Sequence, residues 1–260
     1  MDNLQTLLFE SVDGVATITL NRPDRLNAFN RQMVIEFRQL WQRLRHDPDT
    51  RVVVLRGAPG RAFCTGVDVK EGWRAPGEEG TPFDQDDPGE WLGPKSNKVW
   101  KPLVVAVHGM AAGGAFYFLN EADIVICSED ATFFDPHLKF GKISAVEPIG
   151  AMGRIPMQEI LRMVLMADAE RVTAATALRI SLVTEVVSQE RLWARAAELA
   201  AAIAARHPVA VQGSIRAIWE AQGVPRHQAL SNALRYIQVG KPIATELQPS
   251  KTANKDWTPR

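Results

Sequence analysis

The sequence predicts an α/β fold that is built on a parallel β-sheet and ends in a helical region. Continuous apolar runs at residues 52–55, 103–107 and 124–127 are typical of strands that are buried on both faces, as in parallel sheets. A short helix is predicted between the last two runs, at residues 113–120. Strands and helices that alternate in this way favour an α/β core.

The segments on either side complete this pattern. Residues 15–20 are rich in β-branched side chains and predict a further strand. Asn30 is placed to cap a helix that runs to about His46, because apolar residues recur there at helical spacing. From Met157 onward the pattern is mostly helical. The periodic segments of that region are residues 189–206, 208–221 and 225–240.

Two segments lack any clear periodicity. Residues 75–95 combine Gly, Pro, Asp and Glu, which predicts a loop or a mobile lid. Residues 250–260 are polar and are expected to fray.

Composition and charge argue against several classes of protein. The 30 Lys and Arg residues balance the 30 Asp and Glu residues, so a broad nucleic-acid-binding face is not expected. No signal peptide is visible, and no apolar run approaches the roughly 20 residues of a membrane span. Cys64 and Cys127 could form one disulfide, but such sparse use of cysteine fits a reducing compartment better. A cytoplasmic protein is therefore expected.

Two loops at strand ends could bring backbone N–H groups to one point. Gly113 and Gly114 open the predicted short helix, where the first N–H groups have no partner within the helix. Residues 61–69, which include Gly66, follow the buried strand at residues 52–55. Two N–H groups aimed at one oxygen form an oxyanion hole, which stabilises an enolate. Tight packing of helix against strand is the alternative explanation for the glycine pair.

The motifs around these loops resemble those of a known family. N-R-P-D-R-L-N-A-F-N (residues 21–30), R-A-F-C-T-G-V-D-V (61–69) and H-G-M-A-A-G-G-A-F-Y-F-L-N-E-A-D (108–123) occur in order. A-T-F-F-D-P-H (131–137) and R-I-S-L-V-T-E-V-V (179–187) follow them. Together they resemble the signatures of the enoyl-CoA hydratase/isomerase, or crotonase, superfamily.

That resemblance implies a fold, an assembly and a ligand. The implied fold is the crotonase (ClpP-like) spiral core of ββα units over residues 1–200, with a C-terminal helical region over residues 201–260 that serves oligomerisation and pocket closing. It also implies a homotrimer or a dimer of trimers that acts in acyl-CoA metabolism. The implied substrate is an acyl-CoA thioester, with no nucleic-acid or membrane partner, no metal and no cofactor beyond the coenzyme A of the substrate.

The resemblance also implies which residues contact the ligand. The N–H groups of Val67 and Gly114 match those of the family's oxyanion hole. The residues implied to contact coenzyme A or the substrate are Arg25, Leu26, Ala28, Ala62, Thr65, Gly66, Asp68, Val69 and Gly113.

Both glutamates that hydratases of this family use are replaced. Tyr117 and His137 stand at their positions, 20 residues apart, so the alignment between them needs no gap. Hydratases use the carboxylate pair to hold and activate water. Tyrosine, with an ordinary pKa near about 10, is a poor base at neutral pH, whereas histidine titrates near about 6.5 and can act as acid or base.

Each candidate catalytic residue has a structural alternative. Tyr117 either takes part in proton transfer or fills the space of the lost glutamate, and His137 is either the acid–base group or a hydrogen-bonded structural residue. Asp135 could orient His137 or form an Asx-turn with Pro136. Glu147 lies where several family members place a catalytic acid, but it could instead cap a helix that begins near Pro148.

The expected function is that of an enoyl-CoA hydratase/isomerase-family enzyme, a lyase or isomerase that stabilises a thioester enolate. True hydratase activity is doubtful because both glutamates are absent. One alternative is a crotonase-fold hydrolase that cleaves a C–C bond, in a β-diketone or a thioester, and uses His137. Another alternative is a non-catalytic acyl-CoA-binding protein.

Overall fold

The computed structural model of the chain describes residues 4–72 and 87–246. Most of the predicted lid at residues 75–95 and the whole tail at residues 250–260 lie outside the described residues. The chain divides into two compact units, Met1–Arg206 and His207–Arg260. The functions assigned from the resemblance to the C-terminal region, oligomerisation and pocket closing, stay predictions.

The helices and strands alternate as the sequence predicts. The strands are β1 (Leu7–Val12), β2 (Val15–Leu20), β3 (Val52–Gly57), β4 (Ala62–Cys64), β5 (Leu103–Val107), β6 (Met110–Ala112), β7 (Ile124–Ser128), β8 (Thr132–Phe134), β9 (Val172–Thr173) and β10 (Glu185–Val187). The α-helices are α1 (Arg31–His46), α2 (Gly89–Leu92), α3 (Phe116–Glu121), α4 (Val146–Ala151), α5 (Met157–Met166), α6 (Ala174–Arg179), α7 (Leu192–Ala204), α8 (Pro208–Glu220) and α9 (Arg226–Glu246).

The first unit is built on a large sheet and a small one. In the large sheet the strand order is β1-β2-β3-β5-β7-β10, and every neighbouring pair except the antiparallel β1–β2 pair is parallel. The small sheet has the order β4-β6-β8-β9. Each of β3, β5 and β7 is followed directly by one strand of the small sheet and then by a helix. The predicted parallel α/β core is confirmed, and the repeating unit is ββα.

The continuous apolar runs are buried on both faces of the large sheet. Val53, Leu55 and Val105 face the main core, which α1 closes on one side. Val52 and Val54 belong to a second apolar cluster, which α7 covers with a line of small side chains. Strands with no polar face must be covered on both sides, and the two helices do this.

Helix α1 begins where its cap was predicted. The Asn30 side chain accepts a hydrogen bond from the Met33 N–H at 3.0 Å, and the helix runs to His46. The cap satisfies one of the N–H groups that every helix start leaves without a partner. This fixes the chain at the entry to α1, directly after the loop that contains Arg25 and Ala28.

The second unit consists of α8 and α9, which pack against each other. Their positions confirm the two helical segments predicted at residues 208–221 and 225–240, although α9 extends to Glu246. Within the described part of the chain, no helix combines the length and the apolar character that crossing a membrane requires.

Candidate active site

The two glycine loops meet at the edge of the small sheet. A Cβ atom placed on Gly66 would lie 2.7 Å from the backbone nitrogen of Gly114 and 3.1 Å from the carbonyl oxygen of Ala112. Gly66 also has φ = +79°, a conformation that residues with a side chain rarely adopt. Glycine is therefore required here for two reasons, the close approach of the loops and the backbone conformation.

The backbone directions favour the predicted oxyanion-hole donors. The Phe29 N–H donates to the Gly66 carbonyl at 2.8 Å, and the Asp68 N–H donates to the Phe29 carbonyl at 2.8 Å. In an extended segment the residue between two such contacts points its N–H to the opposite side, so the Val67 N–H faces away from Phe29. The Gly114 N–H lies in the first turn of a short 3-10 helix, Gly113–Ala115, where it has no helical acceptor.

A cavity of about 520 Å³ opens beside these loops, and its volume is within the range of small-molecule sites. Its wall contains both predicted oxyanion residues and His137. The predicted coenzyme A or substrate contacts that line it are Arg25, Leu26, Ala28, Thr65, Gly66, Asp68, Val69 and Gly113. Ala62, which was also predicted to contact the ligand, is not among the residues that line the cavity. It lies in β4, and its carbonyl oxygen accepts a hydrogen bond from the Asn27 side-chain amide at 2.8 Å.

Basic side chains outnumber acidic ones around the cavity. The basic lining residues are Arg25, Arg61, Lys70, Lys139, Lys142 and Arg171, and the acidic ones are Asp24, Asp68 and Asp168. Two of the three acids are paired, Asp68 with Arg22 at 3.0 Å and Asp168 with Lys139 at 2.6 Å. The excess of positive charge suits an anionic ligand such as a phosphorylated one.

His137 lies at the inner wall of the cavity and is held by Asp135. Its Nδ1 lies 2.6 Å from Asp135 Oδ1, and its backbone N–H donates to the same oxygen at 2.9 Å. Ser144 donates its hydroxyl to the other oxygen of Asp135. Asp135 therefore orients the His137 ring and also forms an Asx-turn, which are the two roles that the sequence suggested for it. A Cβ atom on Gly113 would lie 3.7 Å from His137 Cε1, which places the ring beside the glycine pair.

The pKa values of this pair move apart. Burial alone would raise the pKa of Asp135, but hydrogen bonds from His137 and Ser144 outweigh it and lower the pKa. The hydrogen bond to Asp135 raises the pKa of His137, although burial opposes it. Because Asp135 accepts at Nδ1, the Nε2 atom is the one free to exchange a proton.

Glu147 lies next to His137, and Tyr117 lies near Glu147. Glu147 is in the first turn of α4, which begins one residue earlier, so it does not cap that helix. Its Oε1 lies 3.6 Å from His137 Nε2. Burial raises the pKa of Glu147, and burial also raises the pKa of Tyr117, whose hydroxyl donates to Asp87 Oδ2 at 3.1 Å. The four predicted catalytic residues thus form one cluster.

Two members of the cluster could not be found by sequence reasoning. Asp87 follows a segment without a recognisable pattern, and Ser144 is an ordinary polar loop residue. Each is recognised only through its contact, with Tyr117 and with Asp135 respectively. Burial raises the pKa of the Cys64 thiol to about 12, which makes it a poor nucleophile. Among the described residues, no group of three or more possible ligands could hold a metal ion.

The site and the fold can be compared with known proteins. The sequence profile of the enoyl-CoA hydratase/isomerase family matches residues 10–237. The chain belongs to this family. It is 34% identical to (E)-benzylidenesuccinyl-CoA hydratase of Thauera aromatica over 209 residues, which cover 80% of each protein. It is 33% identical to enoyl-CoA hydratase EchA19 of Mycobacterium tuberculosis over 222 residues, which cover 82% of this chain and 79% of that one.

A solved structure of the enoyl-CoA hydratase/isomerase family supports the same fold. An enoyl-CoA hydratase/isomerase from Mycobacterium paratuberculosis matches with a TM-score of 0.85 and 32% sequence identity. The match covers 97% of this chain and 100% of that one. The predicted membership of the enoyl-CoA hydratase/isomerase family and the predicted fold class are therefore confirmed.

In this member of the enoyl-CoA hydratase/isomerase family, we expect Asp135→Asn to lower the pKa of His137. The substitution removes the negative charge and the acceptor that favour the imidazolium ion. The raised pKa stabilises the folded protein fully below the ordinary value of 6.5, and that contribution is lost as pH rises through the folded value. Titration of the imidazole signals by NMR measures the change. Lys142→Gln is the matched control, because the Lys142 charge lowers the pKa of His137, and removing it must shift the titration upward.

Proposed function

We propose that this protein acts on an acyl-CoA thioester by moving a proton at the carbon next to the thioester carbonyl, through an enolate. The observation that carries this proposal is the placement of His137, held at Nδ1 by Asp135, on the wall of the cavity that Val67 and Gly114 also line. The names of the relatives support it, since both are hydratases of a coenzyme A ester.

The enolate is stabilised by the backbone. When the proton leaves, negative charge develops on the thioester oxygen, and the N–H groups of Val67 and Gly114 receive it. Such donors are fixed before the reaction, so they need no reorganisation, and one of them commonly contributes about 100-fold to 1,000-fold in rate. The excess of basic side chains around the cavity supports binding of the coenzyme A phosphates.

His137 is the proton-transfer residue in this mechanism. Its Nε2 takes the proton, and the electron pair of the C–H bond passes into the enolate. Asp135 stabilises the imidazolium ion that forms, which raises the basicity of His137. The rate is expected to rise as pH increases through the His137 pKa, because only the neutral ring accepts a proton.

A second function, hydrolysis of a C–C bond, is favoured by one specific contact. A histidine that hydrogen-bonds to a buried carboxylate can activate water, and Asp135 is 2% exposed and pairs with His137 at 2.6 Å. Water attack on a carbonyl of a β-diketone or of a 3-oxoacyl thioester breaks the bond to the adjacent carbon, which leaves as an enolate. The same N–H groups stabilise that enolate.

The experiment that tests the proposal is hydrogen–deuterium exchange into an acyl-CoA. In deuterated buffer, saturated, enoyl-, 3-hydroxyacyl- and dienoyl-CoA esters and a β-diketone are incubated with the protein and followed by mass spectrometry. We expect deuterium at the carbon next to the thioester carbonyl.

The rate of crotonyl-CoA hydration is expected to be at least about 100-fold lower than that of a hydratase that has both glutamates. The reason is that the loss of one acid–base group commonly lowers the rate of a reaction by about that factor or more.

The outcomes separate the functions. Cleavage of the β-diketone without exchange in any thioester assigns the hydrolase function instead. A rise in melting temperature with acyl-CoA, but neither exchange nor cleavage, identifies a binding protein, because a ligand that binds only the folded state stabilises it. Rapid hydration of crotonyl-CoA contradicts the expected effect of the two replacements.

A further inference from the structure

Asn120 is a buried polar residue in the last turn of α3, and its side chain contacts α4. It is 9% exposed, and its side-chain N–H donates a hydrogen bond to the backbone carbonyl of Glu147 at 2.8 Å. A carbonyl oxygen can only accept, so the Asn120 amide must turn its nitrogen toward α4. The orientation of the Asn120 side chain is therefore set by its partner.

The oxygen of the same amide has no such bond. Asn120 Oδ1 is buried and has no hydrogen-bond partner among the described residues. A buried acceptor without a partner lowers the free energy of unfolding, and an apolar side chain of similar shape would avoid that loss. Stability alone therefore favours an apolar residue over asparagine at this position. What the asparagine adds is its bond to the Glu147 carbonyl.

The close approach of α3 and α4 also depends on Gly150, which lies in α4. The three atoms nearest to a Cβ placed on Gly150 all belong to the Asn120 side chain. That Cβ would overlap with Asn120 Nδ2 and would lie 3.0 Å from Cγ. Asn120 and Gly150 thus form one contact between the helices, and a substitution on either side disturbs it.

This contact joins two parts of the candidate active site. Helix α3 directly follows the 3-10 helix that carries the Gly114 N–H. Helix α4 carries Glu147, whose Oε1 lies 3.6 Å from His137 Nε2. Because Asn120 ties the Glu147 backbone to α3, a shift of α4 would change the distance between Glu147 and His137. Asn120 is not among the described residues that line the cavity, so it acts on the site through Glu147.

We propose that Asn120 is a positioning residue that sets the distance between the Glu147 carboxyl group and His137 Nε2. Its meaning for catalysis rests on the proposed function, in which Nε2 exchanges the proton. The hydrogen bond to Asp135 is the main reason that the pKa of His137 is raised, and the Glu147 charge adds to the rise, whereas burial and the Lys142 charge oppose it. Releasing α4 from Asn120 lengthens the contact with Glu147, and the pKa of His137 is expected to fall.

Titration of His137 by NMR in the substrate-free protein tests this placement. Asn120→Leu keeps the approximate size of the side chain but removes the N–H donor. We expect it to lower the pKa of His137, and by less than Glu147→Gln does. In a Glu147→Gln background it is expected to have no further effect, because the group that it positions is absent. Asn97→Leu is the matched control, since its amide donates to the Gly93 carbonyl at 2.7 Å and its loss must leave the titration unchanged.

Gly150→Ala tests the same placement without changing Asn120. The new Cβ would overlap with the Asn120 amide, so the two helices must separate, while alanine favours a helix over glycine. This variant is also expected to lower the pKa of His137, and it decides the test if Asn120→Leu does not fold. The proposal is overturned if neither variant moves the titration. It is also overturned if Asn120→Leu moves the titration equally with and without Glu147.

The kinetics distinguish a positioning role from a merely structural one. In deuterium exchange, Asn120→Leu is expected to lower kcat by up to about 100-fold, because a misplacement of about 1 Å can cost that much. KM is expected to stay close to the wild-type value, since Asn120 is not part of the described cavity wall. The limb of the pH profile that His137 sets is expected to move to lower pH with the NMR titration.

The failure of this proposal and the failure of the proposed function give different results. If the titration moves as expected but no acyl-CoA exchanges deuterium, the placement of Glu147 by Asn120 is supported and the proposed function fails. If the wild type exchanges deuterium and Asn120→Leu retains its kcat, the proposed function stands and the positioning role is overturned.

Discussion

Replacing His137 by Gln is expected to lower kcat by about 100-fold to 10,000-fold, which is the range for the loss of an acid–base group. Gln keeps the polarity and the approximate size of the side chain, but it cannot accept and return a proton. The affinity for acyl-CoA is expected to stay within about threefold, because the basic side chains and the loop around Gly66 are untouched. Deuterium exchange measures the rate, and calorimetry measures the affinity.

His46→Gln is the matched control, because it makes the same chemical change at the exposed end of α1. It is expected to retain wild-type exchange. If His137→Gln folds and exchanges deuterium as fast as wild type, proton transfer does not pass through His137. The role would then move to Glu147 or to the substrate itself.

Gly66→Ala is expected to lower kcat/KM by about 100-fold to 1,000-fold, which is the loss of one oxyanion-hole donor. The new Cβ would lie 2.7 Å from the Gly114 nitrogen, closer than carbon and nitrogen atoms approach, so the two loops must separate. Separation turns the N–H groups of Val67 and Gly114 away from a common point. The positive φ of Gly66 adds a strain of about 1–2 kcal/mol.

The strain can be separated from the clash with a second glycine. Gly72 has φ = +71°, close to that of Gly66, but a Cβ atom there would meet no atom of the described residues within 4 Å. Gly72→Ala is therefore expected to lower the free energy of unfolding by a similar strain and to keep its turnover. Equal losses of kcat/KM in the two variants would show that backbone strain, and not the approach of Gly66 to Gly114, controls the rate.

The fold and part of the site follow from local sequence patterns. Runs such as residues 52–55 predict strands buried on both faces because each residue must be apolar whichever face it occupies. Asn30 predicts the start of α1 because a helix end needs a side-chain acceptor within three residues. The glycine loops also lie within contiguous motifs, whereas His137 was singled out by the resemblance of its motif to the enoyl-CoA hydratase/isomerase family. The buried strands, the start of α1 and the glycine loops depend on contacts between residues that are close in the sequence. A single stretch of sequence is therefore enough to predict them.

The directions in which the pKa values of the site shift were decided by the tertiary structure alone. Asp87 lies 30 residues before Tyr117, and Glu147 lies 30 residues after it, in segments that share no pattern. The sequence left open whether Glu147 caps a helix and whether Tyr117 only fills space. The folded chain brings Asp87 to the Tyr117 hydroxyl and buries Glu147 beside His137. Burial and the distances between charges set a pKa, and both arise only when distant segments pack together.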